Sequence, residues 1–303
     1  MGRYRGNVAF AKRPTHPQPL PFREGSKKAQ ASTETIGFQC FYLRGDRHAY
    51  LGINQWRHVM TTTTLTKITD TKVERRPFDS LGHADHGWLN ARHHFSFASY
   101  YDPARMGWGA IRVWNDDQIA ANSGFPPHPH QDMEIITYVR SGAITHQDSL
   151  GNKGRTEAGD VQVMSAGTGV RHAEYNLEPE TTTIFQIWIE PSRKGGSPSW
   201  GAKPFPKGER SGQFVTLASG FADDADALPI RANARVLAAT LTDGSSVDYA
   251  IGEGRHVYLV PATGAITIGD EAFGARDGAA LLGGQTVTIT AQDDAEIVLV
   301  DSE

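Results

Sequence analysis

The chain has 303 residues, which is long enough for two domains that each bury a full hydrophobic core. Hydrophobic residues make up 39% of it, an ordinary share for a soluble globular protein, and no apolar run approaches the length that would cross a bilayer. The formal net charge of −4 argues against a general nucleic-acid binder, because neutralising phosphates requires a basic face.

The first part of the chain differs in composition from the rest. Residues 1–59 hold ten Lys/Arg against three Asp/Glu, which leaves 20 basic and 31 acidic residues for the remainder. Thr15–Phe22 is punctuated by prolines and Ser26–Thr33 is polar without periodicity, so we predict a disordered or non-native N-terminal extension, with Met60 as the natural start. The single cysteine, Cys40, permits no internal disulfide, which fits a cytoplasmic protein.

From residue 78 to 101 the chain is rich in glycine, histidine and aromatic residues. The alternation in His94–Ala98 predicts a strand, with Phe95 and Phe97 packed in the core. A second strand is predicted at Ala110–Trp114. The polar run Asn115–Asp117 that follows is typical of a turn.

Metal-binding side chains occur at a spacing of two in Gly124–Glu134. His128 and His130 follow a Gly-Phe-Pro-Pro turn and precede the β-rich run Ile135–Val139. A spacing of two on a strand places both imidazoles on the same face. A His-x-His pair alone is a weak signal, because the chain also contains isolated histidines, among them His83, His86 and His146.

A second pair strengthens the prediction. His172 and Glu174 come just after a Gly-Thr-Gly turn, again two residues apart. Two such pairs on neighbouring strands would bring two or three imidazoles and a carboxylate to one point. That ligand set suits iron, copper, nickel, manganese or zinc, with coordination positions left open. The alternative is a set of histidines at strand edges.

The rest of the chain repeats short strands and glycine turns. Val161–Met164 and Thr183–Ile189 are predicted strands of the first domain, and the Gly/Pro/Ser-rich Arg193–Gly212 is predicted to be the interdomain linker. We place the first, metal-binding domain at residues 60–206 and the second at residues 207–303. The second domain has one histidine, His256, and no His-x-His pair, so we predict no metal site there. Its predicted strands are Phe214–Leu217, Ala234–Leu241, His256–Val260, Ala265–Ile268, Gln285–Thr290 and Glu296–Val300.

These motifs resemble the paired signature of the cupin superfamily, and within it the pirin family. The segments that carry the resemblance are His94–Phe97, Phe125–His130, Glu134–Val139, Ser165–Val170 and His172–Glu174. Three features depart from the general cupin pattern: the first glycine lies closer to His128, Ser165 replaces a proline, and His172 lies two residues later than the pattern requires. The resemblance implies an all-β fold with two tandem cupin (jelly-roll, double-stranded β-helix) domains.

The pirin resemblance also implies the site. It makes His128, His130, His172 and Glu174 the ligands of one divalent metal, with Fe(II) preferred and Cu, Ni, Mn or Zn as alternatives. Glu134 occupies the usual cupin carboxylate position, and strand parity alone leaves it open as an outer or competing ligand.

For function, the resemblance to bacterial quercetinase-type pirins implies a quercetin 2,3-dioxygenase type reaction. A flavonol or related aromatic substrate would be deprotonated and cleaved by dioxygen, with Glu134 or Glu174 as the catalytic base. The alternative is a non-enzymatic, redox-sensitive iron protein that binds a protein partner and modulates transcription or a metabolic enzyme. A closed structural zinc site ranks last, because such sites rarely lack thiolate ligands.

Overall fold

The computed structural model describes residues 72–303, which form β-strands joined by turns and two short 3₁₀ helices, Phe78–Ser80 and Lys207–Arg210. The predicted all-β fold class is confirmed. The predictions for residues 1–59, including Cys40, lie outside the described residues. Within residues 72–303, no helix is long and apolar enough to span a membrane.

The N-terminal half contains two sheets that enclose a barrel. Its strands are β1 (Val73–Arg76), β2 (Gly82–Asp85), β3 (Leu89–His93), β4 (Ile111–Ile119), β5 (Ser123–His130), β6 (Glu134–Ser141), β7 (Ala143–Asp148), β8 (Lys153–Glu157), β9 (Val161–Ser165), β10 (Val170–Asn176), β11 (Thr182–Ile189) and β12 (Ser199–Lys203). The larger sheet has the order β12-β9-β6-β11-β4-β3-β2, and the smaller sheet has the order β5-β10-β7-β8. All pairs in both sheets are antiparallel, as expected of a jelly roll.

The C-terminal half repeats the arrangement. Its strands are β13 (Val215–Ser219), β14 (Leu228–Pro229), β15 (Ala234–Leu241), β16 (Ser246–Ile251), β17 (His256–Thr263), β18 (Ile266–Ile268), β19 (Glu271–Phe273), β20 (Gly278–Leu282), β21 (Gln285–Ala291) and β22 (Ala295–Ser302). A seven-stranded sheet has the order β1-β20-β17-β22-β15-β13-β14, and a four-stranded sheet has the order β16-β21-β18-β19. Two tandem jelly rolls were predicted, and two are observed.

The two seven-stranded sheets pack face to face. One hydrophobic cluster combines Tyr138 and Phe185 of the first half with Val236 and Val298 of the second, all fully buried. Because side chains alternate across a strand, the remaining residues of β6 and β11 point into the N-terminal barrel. The large sheet of the first half therefore serves two purposes, with one face for docking the second half and the other for the interior where the candidate site lies.

One strand from the N-terminal side of the chain belongs to a sheet of the second half. β1 precedes the first barrel in sequence, yet Val73–Arg76 pairs with Gly278–Leu281 of β20 in the second half. The predicted linker, Arg193–Gly212, contains β12, which pairs with Val161–Ser165. That segment is therefore an ordered edge of the first barrel, and it carries Trp200 toward the site.

The predicted strand at His94–Ala98 is wrong. β3 ends at His93, and the chain turns so that Ala98 takes a positive φ of 50°. The Ser96 hydroxyl bonds to the backbone of Asp102 and holds this turn. Phe95 is fully buried in the interdomain core, so the expectation of core packing holds for Phe95 without a strand.

The predicted turn at Asn115–Asp117 is also wrong. These residues lie in the middle of β4, paired with β11 on one side and β3 on the other, and all three are buried. Their polar side chains suggested a turn, but long-range partners stabilise them in the strand. Asp116 forms ion pairs with Arg140 and with Arg276 of the second half.

Candidate metal centre

Two adjacent strands bring the predicted histidines together. β10 pairs antiparallel with β5, so His172 lies directly opposite His128, and Val170 lies opposite His130. A bulge between His172 and Glu174 shifts the register there. As a result, one ring nitrogen from each of His128, His130 and His172 lies within 4.8 Å of the other two.

The histidine nitrogens are oriented for a shared cation. His128 Nδ1 lies 2.8 Å from the Pro126 carbonyl oxygen, which fixes the proton on Nδ1 and leaves a lone pair on Nε2. His128 Nε2 lies 3.1 Å from His172 Nε2. Three imidazoles converging in this way fit the donor set of a single divalent transition metal ion.

The charge state of the rings suits metal binding. Burial, together with the neighbouring His172 and His128, lowers the pKa of His130 to about 3. Burial likewise lowers the pKa of His172 to about 3, with contributions from His128 and His146. Both rings are therefore neutral at pH 7, as ligation requires.

Glu174 is buried in the barrel and fully hydrogen-bonded. Its Oε1 accepts from Gln162 Nε2 at 2.6 Å and from Thr137 Oγ1 at 3.1 Å. Its Oε2 accepts from Gln186 Nε2 at 2.8 Å. These donors come from β9, β6 and β11, so three strands of the large sheet orient one carboxylate supplied by the small sheet. Glu174 is not part of the close cluster formed by the three histidines.

His146, which looks isolated in the sequence, lies beside His172 in the structure. This buried residue forms a second group with His172 and Glu174, whose ligand atoms also lie within 4.8 Å of one another. His146 Nδ1 lies 3.4 Å from His172 Nδ1, and His146 Nε2 lies 3.1 Å from Asp148 Oδ2. The signal that could have revealed it is His146-Gln-Asp148, another polar pair at a spacing of two within a strand.

Glu134 does not reach this cluster. Its carboxylate accepts from the Ser165 hydroxyl and from the Arg231 backbone N–H, on the face of β6 opposite Thr137. Burial raises the pKa of Glu134, while the hydrogen bonds from Ser165 and Arg231 partly lower it. The predicted role of Glu134 as an outer ligand, a competing ligand or a base therefore stays a prediction, and neither group of potential metal ligands in residues 72–303 contains Glu134.

Aromatic side chains surround the half-exposed side of the cluster. Trp188 meets His130 edge to face, with ring centroids 4.9 Å apart, and Phe97 meets Trp188 at 5.5 Å. Phe125 lies 6.3 Å from His128. His172 is buried, whereas His128 and His130 are partly exposed, so the centre is approached from the side of β5.

The second half offers no comparable set of side chains. Among residues 72–303, both groups of three or more potential metal ligands lie in the N-terminal half.

Comparison with known proteins identifies both halves. Residues 73–189 match the Pirin family, and residues 216–302 match the family described as "Quercetinase C-terminal cupin domain". A pirin-like protein of Caulobacter vibrioides is 71% identical over 76% of this chain and 99% of its own length. The quercetin 2,3-dioxygenase of Escherichia coli K12 is 42% identical over 75% of this chain and 96% of its own length.

A solved structure gives the same result. The nickel(II) complex of the bacterial pirin YhhW from Escherichia coli superposes with a TM-score of 0.72 at 39% identity, covering 76% of this chain and 99% of that one. Two cupin domains, a histidine cluster in the first of them and relatives that match along nearly their whole length agree with one another. The chain belongs to the pirin family of the cupin superfamily.

Proposed function

We propose that the N-terminal domain holds one divalent transition metal ion through His128, His130 and His172, with Glu174 as the carboxylate of the site. Iron(II) is the proposed native metal, because imidazole and carboxylate donors suit it. The convergence of three imidazoles at a partly exposed mouth is the observation that carries this proposal. The nickel in the related pirin structure supports a divalent metal and leaves its identity to direct analysis.

We propose that the reaction is the oxidative cleavage of a flavonol or a related enolizable aromatic by dioxygen, as in a quercetin 2,3-dioxygenase. The name of the Escherichia coli relative supports this reaction class. The aromatic side chains around His128 and His130 suit a planar aromatic substrate, since aromatic rings pair favourably by stacking or edge to face. When bound, the metal would supply a Lewis acid with open positions for dioxygen and a substrate oxygen.

The protein residues then have separate tasks. Glu174 is the proposed base for the acidic hydroxyl of the substrate, because among residues 72–303 it is the one carboxylate in a group of potential ligands that includes His172. Gln162 and Gln186 hold its two oxygens in place. Trp188 orients the aromatic substrate against His130 and keeps water from that side.

Turnover is tested with metal-loaded protein mixed anaerobically with quercetin and then exposed to oxygen, while carbon monoxide and flavonol absorbance are followed. We expect carbon monoxide in proportion to bound metal, and none from the metal-free His128→Ala variant. His86 is exposed and belongs to neither group of potential metal ligands in residues 72–303, so His86→Ala is the matched control. If metal-loaded protein releases no carbon monoxide above the apoprotein background, the proposed oxygenase activity is wrong. That result would favour the alternative of a non-enzymatic iron protein that binds a protein partner.

A further inference from the structure

Behind the imidazole cluster, three buried side chains form a line that runs away from the proposed metal. Asp148 contacts His146, His146 contacts His172, and the far side of His172 faces His128. Asp148 and His146 come from β7, the strand that pairs with β10 on the side opposite β5. The ring nitrogen that carries the hydrogen in His146 determines which ring nitrogen of His172 keeps a lone pair.

The line begins at a group that only accepts hydrogen bonds. Asp148 Oδ1 accepts the backbone N–H groups of Leu150 at 2.9 Å and Asn152 at 3.0 Å, and Oδ2 accepts Asn152 Nδ2 at 2.8 Å. A carboxylate so occupied has no proton to donate. His146 Nε2, at 3.1 Å from Oδ2, must therefore carry a hydrogen.

The remaining protons follow from counting. A neutral His146 with its hydrogen on Nε2 has a lone pair on Nδ1, and this lone pair faces His172 Nδ1 at 3.4 Å. The hydrogen of His172 is thus placed on Nδ1, and its Nε2 keeps a lone pair. His128 Nε2 also bears a lone pair, since its Nδ1 donates to Pro126. Two lone pairs 3.1 Å apart repel each other unless a cation lies beside both.

The plane of His146 is held from the other side by Trp200. The two rings stack with centroids 4.8 Å apart and planes only 9° from parallel. Gly154 makes room for this ring, because a Cβ at that position would collide with the Trp200 indole. The strand β12, in the segment predicted to be a linker, therefore restrains the line as well.

We propose that Asp148 and His146 are positioning residues that set the tautomer of His172, so that Nε2 of His172 is presented to the metal. This inference rests on the proposed metal function and extends it to two residues outside the ligand set. Partners of this kind orient a ligating histidine and raise its basicity. Here the carboxylate acts through a second imidazole, not directly.

The substitution Asp148→Asn tests the proposal. The amide oxygen of the new side chain is expected to keep accepting the backbone N–H groups of Leu150 and Asn152. The side-chain amide nitrogen then occupies the place of Oδ2 and donates to His146 Nε2. The hydrogen of His146 moves to Nδ1, and His172 is left with its hydrogen on Nε2, the nitrogen needed by the metal. We expect the affinity for Zn²⁺, measured by chelator competition on the full chain, to fall about 10- to 100-fold.

Ring-¹⁵N-labelled histidine provides a second measurement that a purely structural role would not move. In long-range ¹H–¹⁵N spectra of metal-free protein, we expect His172 to carry its hydrogen on Nδ1 in the wild type and on Nε2 in Asp148→Asn. His146→Phe keeps a ring against Trp200 but removes both nitrogens, so it should lower zinc affinity and leave His172 in mixed tautomers. Should Asp148→Asn fail to fold, His146→Phe carries the test.

Asn152→Ala is the matched control, because it removes one contact of Asp148 Oδ2 and leaves the hydrogen bond to His146 intact. It should bind zinc like the wild type. If both Asp148→Asn and His146→Phe keep the wild-type zinc affinity and the wild-type tautomer of His172, then Asp148 and His146 do not position His172. The proposed metal site itself would not be contradicted by that result. If the wild-type protein binds no divalent metal, both the proposed function and the positioning role of Asp148 and His146 are wrong.

Discussion

At the scale of single residues, two buried glutamates on different sheets have different surroundings. Glu174 faces the imidazole side of the barrel and is oriented by Gln162 and Gln186. Glu134 faces the interdomain side and bonds to Ser165 and Arg231. We therefore expect Glu174, and not Glu134, to act at the proposed metal centre.

The two glutamates provide a matched pair of substitutions. We expect Glu174→Gln to lower turnover at least about 100-fold, because a general base contributes rate factors of that order. Glu134→Gln should keep full turnover and metal content. Rates of quercetin loss per bound metal measure both variants, and equal rates for the pair would contradict the assignment of Glu174.

Trp188 is the residue expected to recognise the aromatic ring. We predict that Trp188→Ala weakens anaerobic quercetin binding by about 0.5–1.5 kcal/mol, the range typical of one aromatic pair. Metal content should not change, since Trp188 contributes no ligand atom to either histidine group. Absorbance titration of quercetin against the two proteins measures the difference, and equal dissociation constants would remove Trp188 from the substrate site.

At the scale of secondary-structure elements, β4 carries two adjacent aspartates in opposite environments. Asp116 is buried between Arg140 and Arg276. Asp117 points into the N-terminal barrel, and its Oδ1 is buried without a hydrogen-bond partner. Burial raises the pKa of Asp117 well above its ordinary value of 3.8, and the charges of Asp116 and Glu174 raise it further.

The shift at Asp117 predicts a dependence of stability on pH. The carboxyl of Asp117 ionises at a lower pH in the unfolded chain than in the folded protein, because its folded-state pKa is raised above 3.8. The contribution of the neutral carboxyl to the free energy of unfolding is therefore fully present below pH 3.8 and is lost as the pH rises toward the folded-state pKa. Asp117→Asn escapes this loss. Relative to the wild type, it should gain about 1–2 kcal/mol in the free energy of unfolding at pH 8 and little at pH 4.

Asp116→Asn is the contrasting variant on the same strand. It should lower the free energy of unfolding by about 3 kcal/mol, because it leaves buried arginine charge uncompensated. Urea denaturation at several pH values measures both substitutions. A stabilising Asp116→Asn, or a stability difference between Asp117→Asn and the wild type that does not grow with pH, would contradict these environments.

At the scale of the whole molecule, the two cupin domains share one core and one ion network. The Tyr138 hydroxyl of β6 donates to Glu296 of β22, and burial raises the pKa of Tyr138 so that it stays protonated. Arg210 and Lys207 pair with the same carboxylate at 3.1 Å and 2.7 Å. Arg210 is fully buried, whereas the Lys207 side chain is 50% exposed.

We therefore expect both domains to unfold in a single cooperative transition. Glu296→Gln should destabilise the molecule by about 3 kcal/mol, because Arg210 loses its buried partner. Lys207→Ala should cost at most about 1 kcal/mol, as expected of an exposed pair. Hydrogen exchange in β6 and β22 reports each domain separately, and a loss of protection confined to β22 would show that the domains are not coupled.

The sequence by itself determined the fold class and the histidine pairs. A spacing of two places His128 and His130 on the same face of a strand, because the alternation of side chains between the two faces depends only on the local extended backbone. The same local rule and the glycine turns indicated most of the strands of both barrels. These features need no knowledge of distant residues.

Only the tertiary structure decided what depends on partners far away in sequence. Asp132 has a positive φ of 49° and interrupts the extended backbone between His130 and Glu134. The alternation of side chains along a strand therefore does not continue from His130 to Glu134, and the spacing between them does not show which face Glu134 is on. Asn115–Asp117 stays in a strand because Arg140 and Arg276 compensate Asp116 there. His146 reaches His172 because β7 pairs with β10, and no local pattern of residues specifies which strands become neighbours.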